Sequence, residues 1–139
     1  WTLSRGLGDV YKRQVLAILA IEHLGFGLYG LYAPTSIAEL VGYELSSDFA
    51  FSEIRANYMM FTALGLIALF SIFFRSLMRQ TYIIYIFIFS SLILGRVLNY
   101  FITGDLPNSI IVTTVAEIIV VFLSIWRLNA KTPITENIE

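Results

Sequence analysis

Apolar positions run almost without interruption through residues 15–33, 53–74, 81–102 and 109–128, and turn-forming or charged residues separate these stretches. Each stretch is near the roughly 20 residues that a helix needs to cross about 30 Å of hydrocarbon. Strands are excluded, because unpaired backbone in lipid is prohibitively costly and four segments cannot close a barrel. Of the connectors, Arg75-Ser76-Leu77-Met78-Arg79-Gln80 is short and basic, and Gly104-Asp105-Leu106-Pro107-Asn108 carries turn residues ahead of Ser109. The pattern predicts an all-α fold: an integral membrane antiparallel four-helix bundle over residues 15–128, with a cytoplasmic tail over 129–139.

The longest connector holds Pro34, Ser36, Glu39 and Gly42. Ser36 and Glu39 stand at capping-box spacing and Gly42 is a C-terminal stop, which predicts a short amphipathic helix on the outer surface. Its first reading is structural, and its second is a lid over the bundle mouth.

Loop charges set the expected orientation, since short cytoplasmic loops collect Lys and Arg. Arg75 and Arg79 follow the second stretch, and Arg127 and Lys131 close the fourth, whereas the other two loops carry Glu39, Glu44, Asp48 and Asp105 and no basic residue. Both termini are expected to be cytoplasmic, in a bacterial inner membrane. Glu22 and His23 at the centre of the first stretch argue against a cleaved signal peptide. The polar, glycine-containing run ahead of it, opening on Trp1, resembles translated adapter sequence, so residues 1–14 are expected to be a non-native leader; a natural basic juxtamembrane segment is the alternative.

Composition agrees with a membrane class: 58% of residues are hydrophobic and 14% charged, against about 25% charged in a soluble domain. Mean hydropathy is +0.78. A net charge of −1 without a basic, aromatic-interleaved patch argues against nucleic acid as a partner. With no cysteine there is no thiol redox chemistry, iron–sulfur cluster or cysteine-ligated zinc, and the single histidine precludes bis-histidine haem within one chain. No metal and no cofactor is expected.

The candidate chemistry lies in charges that the apolar stretches retain. A charge at mid-span costs about 2.5–3.5 kcal/mol on insertion scales, so such residues face the bundle interior and pair. At 1.5 Å per residue, Arg96 lies about 9 Å from the outer end, Glu117 about 12 Å and Glu22 about 16 Å, with Glu53 and Arg55 near the boundary. The charges of several helices therefore converge in the outer half, where Glu22, Glu53 and Glu117 oppose Arg55 and Arg96. Glu53 after Ser52 also reads as ordinary N-terminal helix chemistry, whereas Arg55 in that first turn opposes the dipole and calls for an anionic partner. Arg96 is read as pairing or snorkelling, Glu117 as facing the bundle, and His23 as a packing residue before a ligand. Glu53 with Asn57, Ser91 with Gly95 and Asn99, and Thr113 with Glu117 recur at spacings of four, so each set shares a helix face expected to point inward. The candidate binding residues are Glu22, His23, Glu53, Arg55, Asn57, Arg96, Asn99 and Glu117.

Two motifs are set aside. Gly25-Phe26-Gly27-Leu28-Tyr29-Gly30 matches the dinucleotide fingerprint literally, but it lies within a membrane helix, where close helix packing accounts for it. Adjacent Glu22 and His23 diverge by about 100° on a helix and do not form half of a di-iron site.

Tyr29-Gly30-Leu31-Tyr32-Ala33-Pro34, Ser52-Glu53-Ile54-Arg55-Ala56-Asn57-Tyr58, Gly95-Arg96 and Glu117 occur together in this order. In that combination the chain resembles DUF4345, a domain-of-unknown-function family of small four-helix bacterial membrane proteins related to the DoxX-like group. The likeness covers about residues 15–128 and departs at Met59-Met60, where the family is expected to carry small residues. It implies the fold and a membrane location and carries no activity. The quinone-linked redox chemistry of some DoxX-like relatives does not transfer by fold.

Three functions are weighed. The first is a binding module whose outer-half polar pocket takes an amphipathic small molecule of lipid or quinone type. The second is a membrane isomerase or redox subunit using Glu117 as acid or base. The third is a structural accessory subunit with internally paired charges. A transporter fits less well in four helices unless the chain oligomerises, and membrane lipid or a larger membrane complex are the expected partners.

Overall fold

The computed structural model describes residues 2–129, and they fold into helices joined by short turns. The order is α1 (Thr2–Tyr32), α2 (Pro34–Val41), α3 (Asp48–Phe73), a 3₁₀ turn (Arg75–Leu77), α4 (Met78–Thr103) and α5 (Asn108–Asn129). Four of these are long and apolar enough to cross a membrane. The protein is an all-α membrane helical bundle.

Which face of each helix turns inward follows from the absence of a hydrophobic difference between lipid and core. Association in lipid depends on close packing and interhelical hydrogen bonds, so small and polar residues define the inner stripes. On α1 the stripe is Leu16, Leu19, Ala20, His23, Gly27 and Gly30; on α3 it is Ile54, Tyr58, Thr62, Gly65, Ala68 and Ser71. Steps of three and four keep each set on one face. Phe73, Phe87, Phe101 and Ile102 are about three-quarters exposed, as suits a lipid-facing surface.

α1 and α3 form the closest helix pair. A Cβ on Gly27 would lie 2.6 Å from the backbone nitrogen of Thr62, one on Gly30 would strike the Tyr58 ring, and one on Gly65 would lie 2.7 Å from the backbone nitrogen of Leu24. The fingerprint-like glycines of the first span thus serve close packing at Gly27 and Gly30, while Gly25 meets nothing. α4 and α5 form the second close pair. The pairs are joined through Tyr85, whose hydroxyl donates to the Leu64 carbonyl at 2.8 Å, and through the Ser71 and Thr81 hydroxyls, which hydrogen-bond beside the 3₁₀ turn.

Several boundaries differ from the sequence reading. α1 continues as one helix through residues 2–14, and the Tyr82 hydroxyl donates to the Lys12 carbonyl at 2.7 Å, so this part of the leader segment touches the bundle. α3 is capped by Ser47, whose hydroxyl accepts from the Ala50 N–H at 3.1 Å, and not by Ser52. α2 starts with Pro34 as its first residue behind Ala33, and no side chain caps it, so the Ser36–Glu39 box does not form. Gly42 does terminate α2, at φ 78°, where only a residue without Cβ is unstrained. Ile37 pins α2 onto Ile54 of α3, beside Leu45 and Tyr58.

Candidate functional site

Glu117 occupies the inner stripe of α5 with Thr113, Val120, Ser124 and Arg127 at steps of three and four. A carboxylate so placed in lipid requires a cation. The Arg96 guanidinium of α4 supplies it in a fork: Nε donates to Oε1 at 3.0 Å and Oε2 at 2.9 Å, and Nη2 donates to Oε1 at 2.8 Å. The Glu117 side chain is 5% exposed and that of Arg96 32%. The guanidinium fork matches a carboxylate in geometry as well as charge, and the contact ties α4 to α5.

His23 lies on α1 at the centre of an aromatic cluster. Its ring stacks on Phe61 at 5.8 Å and meets Tyr85 and Phe89 edge-on at 5.2 and 5.1 Å. Nδ1 lies 2.8 Å from the Leu19 carbonyl. A carbonyl can only accept, so Nδ1 carries the proton and Nε2 of the neutral ring is an acceptor. The packing of the ring leaves Nε2 without a hydrogen bond among the described residues.

Between the two helix pairs, toward the α2 end, lies a cavity of about 570 Å³. Glu22, His23 and Glu117 line it, with Asn108, Ser109 and Thr113 on the α5 side. Its apolar walls include Phe26, Tyr58, Phe61, Val112 and Val120, and Leu40 and Val41 of α2 reach it from the loop. A second cavity of about 300 Å³ shares Val41, Tyr58, Phe61, Ser109, Thr113 and Glu117 with the first and adds Asn57 and Arg96. The shared residues make the two neighbours across one cleft.

The cleft brings together Glu22, His23, Asn57, Arg96 and Glu117 from the four long helices. Glu53, Arg55 and Asn99 lie outside it. Because α3 starts at Asp48, Glu53 and Arg55 fall in its second turn, which removes the dipole argument for an anionic partner of Arg55. The exposed Arg55 guanidinium lies 5.7 Å from the Phe51 ring centre. Nor do Ser91, Gly95 and Asn99 face inward: all three are exposed, and the Ser91 hydroxyl donates to the Phe87 carbonyl at 2.8 Å. A serine that satisfies itself on its own helix does not have to face the core. The inner stripe of α4 is instead Tyr82, Tyr85, Phe89, Leu92 and Arg96.

Residues that the sequence reading passed over include Tyr58, Phe61 and Phe89, which wall the cleft. Their spacing on the Ile54 and Tyr85 stripes was the available signal. Arg127, assigned to the cytoplasmic boundary, is 8% exposed, with its guanidinium 3.5 Å from the Trp126 ring centre and 5.1 Å from that of Tyr11. Aromatic faces take the place of water around this cation. Among the described residues no group of three or more His, Asp or Glu side chains is placed to hold a metal ion.

No curated protein and no solved structure matches this chain. The order of elements, the Arg96–Glu117 link and the Tyr29–Pro34 entry into α2 lie within the segment 11–128, over which the chain matches a family model, and it therefore belongs to the domain of unknown function family DUF4345.

Proposed function

We propose that this is a small multi-pass membrane protein that binds an amphipathic small molecule in the cleft between the α1–α3 and α4–α5 pairs. One observation carries the reading: Glu22, His23 and Glu117, polar groups that are costly in lipid, line the same cavity. About 570 Å³ lies within the range of small-molecule sites, and apolar walls with a few convergent polar groups are the usual composition of such a site. The polar head would rest among these three residues and the apolar part against Phe26, Leu40, Val41 and Val112.

The distribution of loop charges supports a bacterial inner membrane orientation in which the α2 end is outside and both termini are cytoplasmic. Catalysis by Glu117 is less well supported than binding. Both carboxylate oxygens of Glu117 already accept charge-assisted hydrogen bonds from Arg96, three in all, and are engaged in the α4–α5 link. Mass spectrometry of an organic extract of the purified protein tests the reading. A reproducible small molecule is expected with the native chain and is lost in Ala116→Trp, which fills the cavity from α5. An extract identical for the two proteins would refute it.

A further inference from the structure

The charge and hydrogen-bonding inventory of the larger cavity defines the head group it accepts. Its charged members are Glu22 and Glu117, and Glu117 is already neutralised by Arg96. Glu22 makes no hydrogen bond or ion pair among the described residues. With Nδ1 donating to the Leu19 carbonyl, the other nitrogen of His23, Nε2, is the acceptor of the neutral ring. The Thr113 hydroxyl donates to the Ser109 carbonyl at 2.7 Å, and the nearest guanidinium, that of Arg96, lines the smaller neighbouring cavity. The larger cavity thus offers a carboxylate without a cation partner and an imidazole acceptor; Tyr58, Asn108 and Ser109 add neutral hydrogen-bonding groups, and no Lys or Arg lines it. Around these groups stand Phe26, Tyr58, Phe61 and Phe89, whose ring faces attract cations.

We infer that the ligand is an amphipathic cation, an alkylammonium whose N–H groups are taken by Glu22 and His23 Nε2 and whose chain lies along the apolar wall. This rests on the proposed binding function and narrows it: carboxylate and quinone heads offer no cation or N–H to the unneutralised carboxylate. A membrane lipid and a free amine both present such an ammonium, and the chemistry in the cavity is shared.

The test compares three amphiphiles of equal chain length, decylammonium, decanol and decanoate, by displacement-monitored thermal unfolding of the purified protein in neutral detergent and by native mass spectrometry. Decylammonium is expected to bind about tenfold or more tighter than decanol, with decanoate weakest. Glu22→Gln is expected to abolish the preference for decylammonium over decanol. The comparison within the wild-type protein stands even if that variant does not fold. Binding of decanol or decanoate as tight as that of decylammonium, lost in Ala116→Trp, overturns the inference and leaves the binding function intact. Binding of none of the three overturns both. To separate the sources, mass spectrometry of the native extract distinguishes an aminophospholipid from a free amine, and an anionic or nitrogen-free native ligand would also overturn the inference.

Discussion

Arg96 and Glu117 stand on separate helices, 21 positions apart in sequence, and meet through three hydrogen bonds of 2.8 to 3.0 Å. Loss of one partner of such a pair strands the other without compensation. Arg96→Leu is expected to destabilise the bundle by about 3 kcal/mol, the low end for breaking a buried pair because Arg96 is partly exposed. Adding Glu117→Gln removes the stranded charge and should recover part of that loss. Unfolding of the two single variants and the double variant in detergent measures the coupling, and additive losses would show that the pair carries no interaction energy.

The α1–α3 interface gives a second expectation. Gly27 and Gly65 face the partner helix backbone within 2.6–2.7 Å of an added Cβ, whereas Gly25 faces open space. Because the obstacle is backbone and not a flexible side chain, Gly27→Ala and Gly65→Ala are each expected to cost about 2–3 kcal/mol by overpacking. Gly25→Ala should be neutral, or stabilising by up to about 1 kcal/mol through helix propensity. Thermal midpoints of the three variants under one detergent condition decide this, and equal effects at Gly25 and Gly27 would contradict the close crossing.

The repeating apolar pattern was enough to give the four spans, because length and hydropathy alone separate a membrane helix from other structure. Glu117 and Arg96 were also legible, since charges at such depth must pair. Register within the bundle was not. Small residues at helical spacing occur both on the packed face of α1 and on the exposed face of α4, and one sequence does not tell Gly27, against Thr62, from Gly95, against nothing. The capping of α3 was misread because Ser46, Ser47 and Ser52 all offer hydroxyls, and Ser47 with Asp48 behind it begins the helix earlier. Glu53 and Arg55, exposed in the second turn of α3, do not line the cleft.

Tyr82 links the chain preceding the first apolar stretch to the bundle through the Lys12 carbonyl. In the full chain Tyr82→Phe loses the hydrogen bond to the Lys12 carbonyl and is expected to cost about 1 kcal/mol. In a chain that starts at residue 15 the same substitution should cost nothing, since its acceptor is gone. Equal costs in the two backgrounds, measured by chemical unfolding in detergent, would mean that this contact does not stabilise the fold.

Orientation governs which compartment reaches the cleft. Arg75 opens the 3₁₀ turn and Arg79 follows it, while the loop that carries α2 and precedes Ser47 is acidic, so positive charge favours retention of the turn on the cytoplasmic side. The chain has no cysteine, which makes single introduced thiols unambiguous reporters. Cysteine at exposed Ser46 should react with a membrane-impermeant maleimide in intact bacterial cells, and cysteine at exposed Ser76 should react only after permeabilisation. Reversed labelling would place the α2 end in the cytoplasm, so that an amphipathic cation would reach Glu22 and His23 from the inner leaflet.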